Sequence, residues 1–210
     1  MLHVLRQSGA WQIGALLTTV NEQAGRVAMH AVRRELLQAQ ARAAGLPLIE
    51  VPLPWPCSND EYERRMASAT QQAVADGYTH MAFGDLFLED VRGYREQKLA
   101  GTGLTPVFPL WQQPTGILAR EMIAGGLRAR LTTVDPRALD RRFVGREFDA
   151  ALLDEFGPEI DPCGERGEYH SFAYAGPMFS APIAIEPGEV VERDGFVFAD
   201  LVPQAAEARP

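Results

Sequence analysis

The sequence predicts an α/β fold, a parallel sheet with flanking helices, followed by a small C-terminal antiparallel β addition. Three observations carry this. Short apolar runs such as Ile13–Val20 and Thr79–Gly84 alternate with longer stretches whose apolar residues recur at helical spacing, the pattern of strand–helix–strand units. Helix start and stop signals stand between them, with Ser58 three residues before Glu61 and with Gly45 and Gly77 closing periodic stretches. Beyond Cys163 the helical spacing disappears, and short β-rich runs are separated by Pro/Gly turns.

Leu2–Gly9 reads as the end of a helix. Ile13–Val20 is nearly continuous in apolar residues and suits a strand buried on both faces. Val32, Leu36, Ala39 and Ala43 line one face of a helix, with Arg33, Arg34, Glu35 and Arg42 off that stripe and Gly45 at its end. Leu46–Leu53 is the next strand. The Ser58–Glu61 capping box opens a helix whose stripe is Tyr62, Met66, Ala69 and Ala73. Thr79–Gly84 is a strand, followed by helix to about Leu99 and a break at Gly101 and Gly103. Thr105–Trp111 is a short strand, Thr115–Ala124 a helix and Leu127–Val134 a strand. Asp135 suits a cap and Pro136 a first helical position, so another helix is expected there. Phe148–Phe156 forms a last short one. Ser171–Tyr174, Ile183–Ile185, Glu189–Glu192 and Phe196–Ala199 read as strands, with Asp194-Gly195 a hairpin turn. The chain thus divides into an α/β domain over 1–160, a β region over 161–203 and a frayed tail over 204–210.

A chain of 210 residues has room for one well-buried domain. Its 46% hydrophobic and 23% charged content is that of a soluble protein. A net charge of −8 argues against a general nucleic-acid binder. No apolar run reaches the roughly 20 residues that span a bilayer. The first residues lack a secretory signal, so a cytoplasmic location is expected and no membrane partner. Cys57 and Cys163 form no paired motif, and no disulfide is expected. Nothing in the sequence fixes an oligomeric state.

The stretch richest in chemistry runs from Asp161 to Phe172. It sets Glu165 and Glu168 among Gly164 and Gly167, with Tyr169 and Phe172 on either side of His170. The glycines permit left-handed backbone and close approach of a ligand. Such a turn can aim both carboxylates into one pocket, to hold an amine-bearing group or to move a proton; the plainer reading is an acidic surface loop before a strand. Cys163, Glu165, Glu168 and His170 match no zinc spacing, and no metal site is expected. Cys163 would need a base and a lowered pKa to act as a nucleophile. Ligands of open parallel sheets bind beyond the carboxyl ends of strands, where Thr18, Thr19, Gly84, Asp85 and Trp111 fall. Asp85 either binds a ribose hydroxyl, an amine or a magnesium ion, or caps the following helix. Arg92 and Glu96 share a helix face, an arrangement worth roughly a few tenths of a kcal/mol as a surface pair. Trp111 either walls a pocket or fills the core.

The run Gly164-Glu165-Arg166-Gly167-Glu168-Tyr169-His170-Ser171-Phe172 resembles the C-terminal signature of the diphthine–ammonia ligase family. Those are ATP-dependent enzymes related to the PP-loop ATP pyrophosphatases, in the adenine nucleotide alpha hydrolase-like superfamily. Gly84-Asp85, Arg92, Glu96 and Pro109-Leu110-Trp111 agree in order, so the resemblance extends over nearly the whole chain. It implies a Rossmann-like, HUP-type nucleotide-binding domain over 1–160 and ATP with magnesium as cofactor. It also implies Thr18, Gly84, Asp85 and Arg92 at the nucleotide and Glu165 and Glu168 as catalytic groups. Gly164, Gly167, Tyr169, His30 and Trp111 would then surround the substrate. The implied reaction adenylates a small-molecule or protein carboxylate, releases pyrophosphate and forms an amide with ammonia.

Family members open with a strand and a Ser-Gly-Gly-Lys-Asp-Ser-type loop that holds the ATP phosphates, and no such loop stands in this sequence. The natural protein is therefore expected to be longer by about 15–25 residues, and the chain as given to be inactive. The alternative is a non-catalytic binding or regulatory relic of the fold, without the amides and lysine that hold phosphates.

Overall fold

A computed structural model describes residues 1–204, and the expected tail falls, from residue 205 on, outside them. The architecture is mixed α/β. Helix α1 (Leu2–Ser8) leads into strand β1 (Leu16–Asn21), whose end pairs antiparallel with an unexpected two-residue strand, β2 (Arg26–Val27). Helix α2 (Arg34–Ala44) follows, with Leu36, Leu37, Ala41 and Ala44 buried and Gly45 ending it in the left-handed conformation. Strand β3 (Leu48–Leu53) then pairs parallel with β1 in the register Leu16↔Leu48 to Asn21↔Leu53. At the start of α3 (Asn59–Ala75) only half of the capping box forms. Ser58 Oγ accepts from the Glu61 amide at 3.2 Å, while the Glu61 carboxylate turns to Arg64 and Arg65. Strand β4 (His80–Ala82), helix α4 (Glu89–Leu99) and strand β5 (Thr105–Val107) make a second parallel pair.

The two parallel pairs are not hydrogen-bonded to each other. The segment before β1 lies against the start of β4: the rings of Trp11 and His80 have centroids 4.9 Å apart. A Cβ placed on Gly14 would overlap the Tyr78 ring, so this approach requires glycine.

Helix α5 (Thr115–Ala124) precedes β6 (Arg128–Val134), which the sequence grouped with the parallel strands. It instead lies inside an antiparallel sheet of order β7-β6-β9-β8, formed with β7 (Tyr169–Ala175), β8 (Ile185–Arg193) and β9 (Phe196–Pro203). Residues Leu131–Val134 of β6 are buried in succession, so both faces are covered, which a covered antiparallel strand shares with a parallel one. Asp135-Pro136 starts a single turn rather than a helix: the Asp135 side chain accepts from Arg137 N, and its carbonyl accepts from Ala138 and Leu139. The last short helix, α6, is Ala150–Asp154. The two strands expected over 183–192 are one strand, β8, with an irregularity between Pro187 and Val190. Asp194 and Gly195, at φ 52° and 80°, make the tight hairpin into β9.

Both faces of this sheet are covered. Leu131, Val134 and Tyr169 pack with Ala119, Phe143 and Leu152 on one side. Phe172 and Leu201 pack with Val32 and Leu36 of the α2 region on the other. An ion-pair clamp reinforces the second contact. Asp200 of β9 accepts from Arg26 at 2.7 Å and from Arg33 at 2.6 Å. Burial alone would raise the Asp200 carboxyl, but the hydrogen bonds and charges of Arg26 and Arg33 outweigh it and hold it at about 2. The stabilisation is complete above the ordinary carboxyl value of 3.8 and is lost as pH falls through about 2. Asp200→Asn is expected to cost about 2 kcal/mol at neutral pH, read from the urea midpoint, and nothing extra near pH 2. An unchanged midpoint at neutral pH would show the clamp to be inert. No helix among the described residues is long and apolar enough to cross a membrane.

Candidate functional site

The loop between α6 and β7 is stapled by its own side chains. Asp161, 5% exposed, accepts through Oδ2 from the amides of Cys163 at 3.2 Å and Glu165 at 2.9 Å. Glu168, 4% exposed, accepts from Asp161 N at 2.9 Å and from Arg166 N at 3.0 Å. Tyr169 donates its hydroxyl to Pro162 O at 2.7 Å. These two buried carboxylates are thus solvated by backbone amides rather than by a cation. Gly164 has φ 70°, and a Cβ there would come within 2.9 Å of Tyr169 O, so the turn needs glycine at that place. Gly167 is left-handed as well.

Glu165 is the carboxylate the loop does not consume. Its Oε1 accepts from Leu86 N at 2.7 Å, and Phe87 N adds a second backbone hydrogen bond. Burial raises its pKa, the charges of Asp85 and Asp161 raise it further, and the two amides pull the other way. The loop therefore grips the segment just past β4, where Gly84 and Asp85 lie.

Asp85 does not cap α4, whose N-cap is Leu88. It is ion-paired with Arg95, with Nε 2.6 Å from Oδ2 and Nη2 donating to Oδ1 at 3.1 Å. Arg95 also lies over the Phe83 ring. Gly84 has no left-handed backbone, and a Cβ on it would reach only Met1, at 4.0 Å. Arg92 donates through Nε to Glu96, and its guanidinium carbon lies 4.8 Å from the Phe108 ring and 4.7 Å from the Trp111 ring. Trp111 is therefore a half-buried partner of Arg92 rather than a core residue. Gln112 N donates to Leu86 O at 2.7 Å, which joins this aromatic shelf to the Glu165 anchor.

The remaining expected residues stand elsewhere. β1 continues to Asn21, so Thr18 lies within the strand, paired with Glu50, rather than at its carboxyl end. His30 sits in the turn between β2 and α2, its ring centroid 4.4 Å from that of His170. Burial, with smaller effects of Asp161 and Glu165, pushes the Cys163 thiol up to about 12, which leaves it unsuited to nucleophilic attack. Among the described residues no group of three or more His, Cys, Asp or Glu could hold a metal ion. Sequence reasoning missed Asp161, Arg95 and the Leu86 and Phe87 amides. For Asp161 a signal was present, since Asp-Pro-x-Gly is a turn pattern. For the others there was none.

Residues 114–199, from α5 into β9, match the family model of the diphthamide synthase C-terminal domain. This span contains the stapled loop and Glu165. The chain is similar to diphthine–ammonia ligases, and its C-terminal part matches their domain model. The diphthine–ammonia ligase of Mus musculus is 28% identical over 152 residues, 69% of this chain and 56% of the mouse protein. That of Homo sapiens is 32% identical over 105 residues, 47% of this chain and 39% of its own length. The Schizosaccharomyces pombe ligase is 34% identical over 94 residues, 43% of this chain and 16% of that protein. The chain thus spans about half the length of the mouse diphthine–ammonia ligase and less of the other two. Leu86, Arg92 and the shelf at Trp111 lie before the matched C-terminal domain, so the Glu165 contact joins that domain to the preceding part of the chain.

Proposed function

We propose that this diphthine–ammonia ligase relative is an ATP-dependent ligase that converts a substrate carboxylate into an amide with ammonia. The observation that carries it is the presentation of Glu165. The loop spends Asp161 and Glu168 on its own amides and holds Glu165, alone and with a raised pKa, across the end of β4. A carboxylate fixed in this way can hold an amine and accept the proton that nitrogen loses as the C–N bond forms. Asp161 and Glu168 act as positioning groups that fix the backbone on either side.

The donor set fits a nucleotide at one place. Arg92 has its plane set by Phe108 and Trp111 and its Nε satisfied by Glu96, which leaves the Nη edge to fork a phosphate. Asp85, closed by Arg95, offers no comparable edge for magnesium. When bound, ATP supplies an adenylate that replaces a poor leaving group with a good one.

The test incubates the full-length natural protein with ATP, magnesium, ¹⁵N-ammonium and a panel of carboxylic acids, and follows AMP and ¹⁵N-amide together. AMP rising in step with a labelled amide supports the ligase reading; absence of both with every acid removes it. The second reading, a binding or regulatory member of the fold, is favoured by one observation. Asp85 and Glu168 are both engaged by the protein itself. Nucleotide binding without AMP formation would support it.

A further inference from the structure

The turn that carries His30 has features that its expected place beside the substrate does not explain. Its neighbours Met29 and Ala31 both adopt positive φ, 62° and 54°, conformations that cost a non-glycine residue about 1–2 kcal/mol each. The turn is held down from several sides. Thr133 of β6 donates its hydroxyl to Met29 O at 3.2 Å, and Arg26 of β2 donates to Ala31 O at 2.7 Å. Ala28 N donates to Thr19 O at 3.4 Å. His30 itself packs against His170 of β7, centroids 4.4 Å apart and planes tilted by 37°, and hydrogen-bonds the backbone of Ser171. The turn thus ties β1 to the antiparallel sheet.

We propose that the His30–His170 pair is a proton-operated latch: the neutral rings hold the strained turn against β6 and β7, and protonation of His30 releases it and uncovers the carboxyl end of β1. Two imidazoles in contact cannot both carry charge at low cost. The charged groups packed around the turn do not offer a counter-ion. Arg26 and Arg33 are cations, and Asp200 of β9 is already shared between them. His170 is the titratable group felt by His30, and burial lowers the pKa of His170 as well. A proton arriving on His30 is therefore accommodated by moving the ring into water, and relief of the left-handed backbone at Met29 and Ala31 favours the same movement.

The direction follows from linkage. The closed turn holds His30 at about 4, chiefly through burial, while a released imidazole returns towards 6.5. Opening therefore becomes easier as pH falls from 6.5, by roughly thirtyfold at pH 5, and saturates below about 4.

Hydrogen exchange on the whole chain at pH 8 and pH 5, corrected for intrinsic rates, tests this. Protection of the Val27, His30 and Ala31 amides is expected to fall roughly thirtyfold at pH 5, with β6 and β9 unchanged. In His30→Asn that pH dependence should vanish. In His170→Asn its midpoint should move up towards 6.5. Equal protection at both pH values, a parallel loss in β6 and β9, or a response that survives in His30→Asn would each overturn the latch.

Discussion

Glu168→Gln is expected to lower the unfolding free energy by about 3 kcal/mol, seen as a fall in the urea midpoint at unchanged slope. The substitution keeps the size of the side chain and removes half of its accepting capacity. Glu168 meets two donors, Asp161 N and Arg166 N, at 2.9 and 3.0 Å, in a site 4% exposed. A carboxamide can face one of them with oxygen, but it must then turn its NH₂ towards the other. One buried amide is left unpaired and opposed by a second donor, which costs more than loss of a single bond. The loop then loses the tie that sets Asp161, and with it the bond from Glu165 N to Asp161. A midpoint within experimental error of the parent would show that the loop does not depend on this staple.

Glu165→Gln is expected to behave in the opposite way. Its stability should stay within about 1 kcal/mol of the parent, because a carboxamide oxygen still accepts from Leu86 N and the group is only partly buried. Amide formation should fall at least about 100-fold, since the carboxamide cannot take the proton released from the attacking nitrogen. Activation of the acid, read as pyrophosphate release, should persist. In the parent protein the acid limb of the rate against pH should lie above the ordinary glutamate value of 4.5, because burial and the charges of Asp85 and Asp161 raise this group. Turnover is lost as pH falls through that raised value. Full amide formation by Glu165→Gln would move the proton acceptor elsewhere.

The contrast between these two glutamates marks how far the sequence could be read. Both stand beside a glycine, three residues apart, and nothing in that spacing separates an inward staple from an outward acid. The difference arises from Asp161 N, Arg166 N, Leu86 N and Phe87 N, and backbone amides carry no sequence signal. The α/β alternation, the Gly45 stop and the Asp194-Gly195 hairpin were legible because local chemistry fixes them. The place of β6 was not, because burial on both faces looks the same in either kind of sheet. Asp85 was ambiguous for a related reason. Its partner Arg95 lies ten residues on, across a change from loop to helix, where no periodicity connects the two.

β9 lies between β6 and β8, although β6 precedes it by more than sixty residues in the chain. During synthesis β6 and β7 leave the ribosome and can pair before β9, the other neighbour of β6, exists. Throughout that interval one edge of β6 is unpaired, the kind of edge that can recruit a strand from another nascent chain. The long-range ties from Arg26 and Arg33 to Asp200 also wait for the same late strand. Closure of this sheet, and of the clamp that fastens it to the α2 region, thus waits for β9 rather than for any local helix.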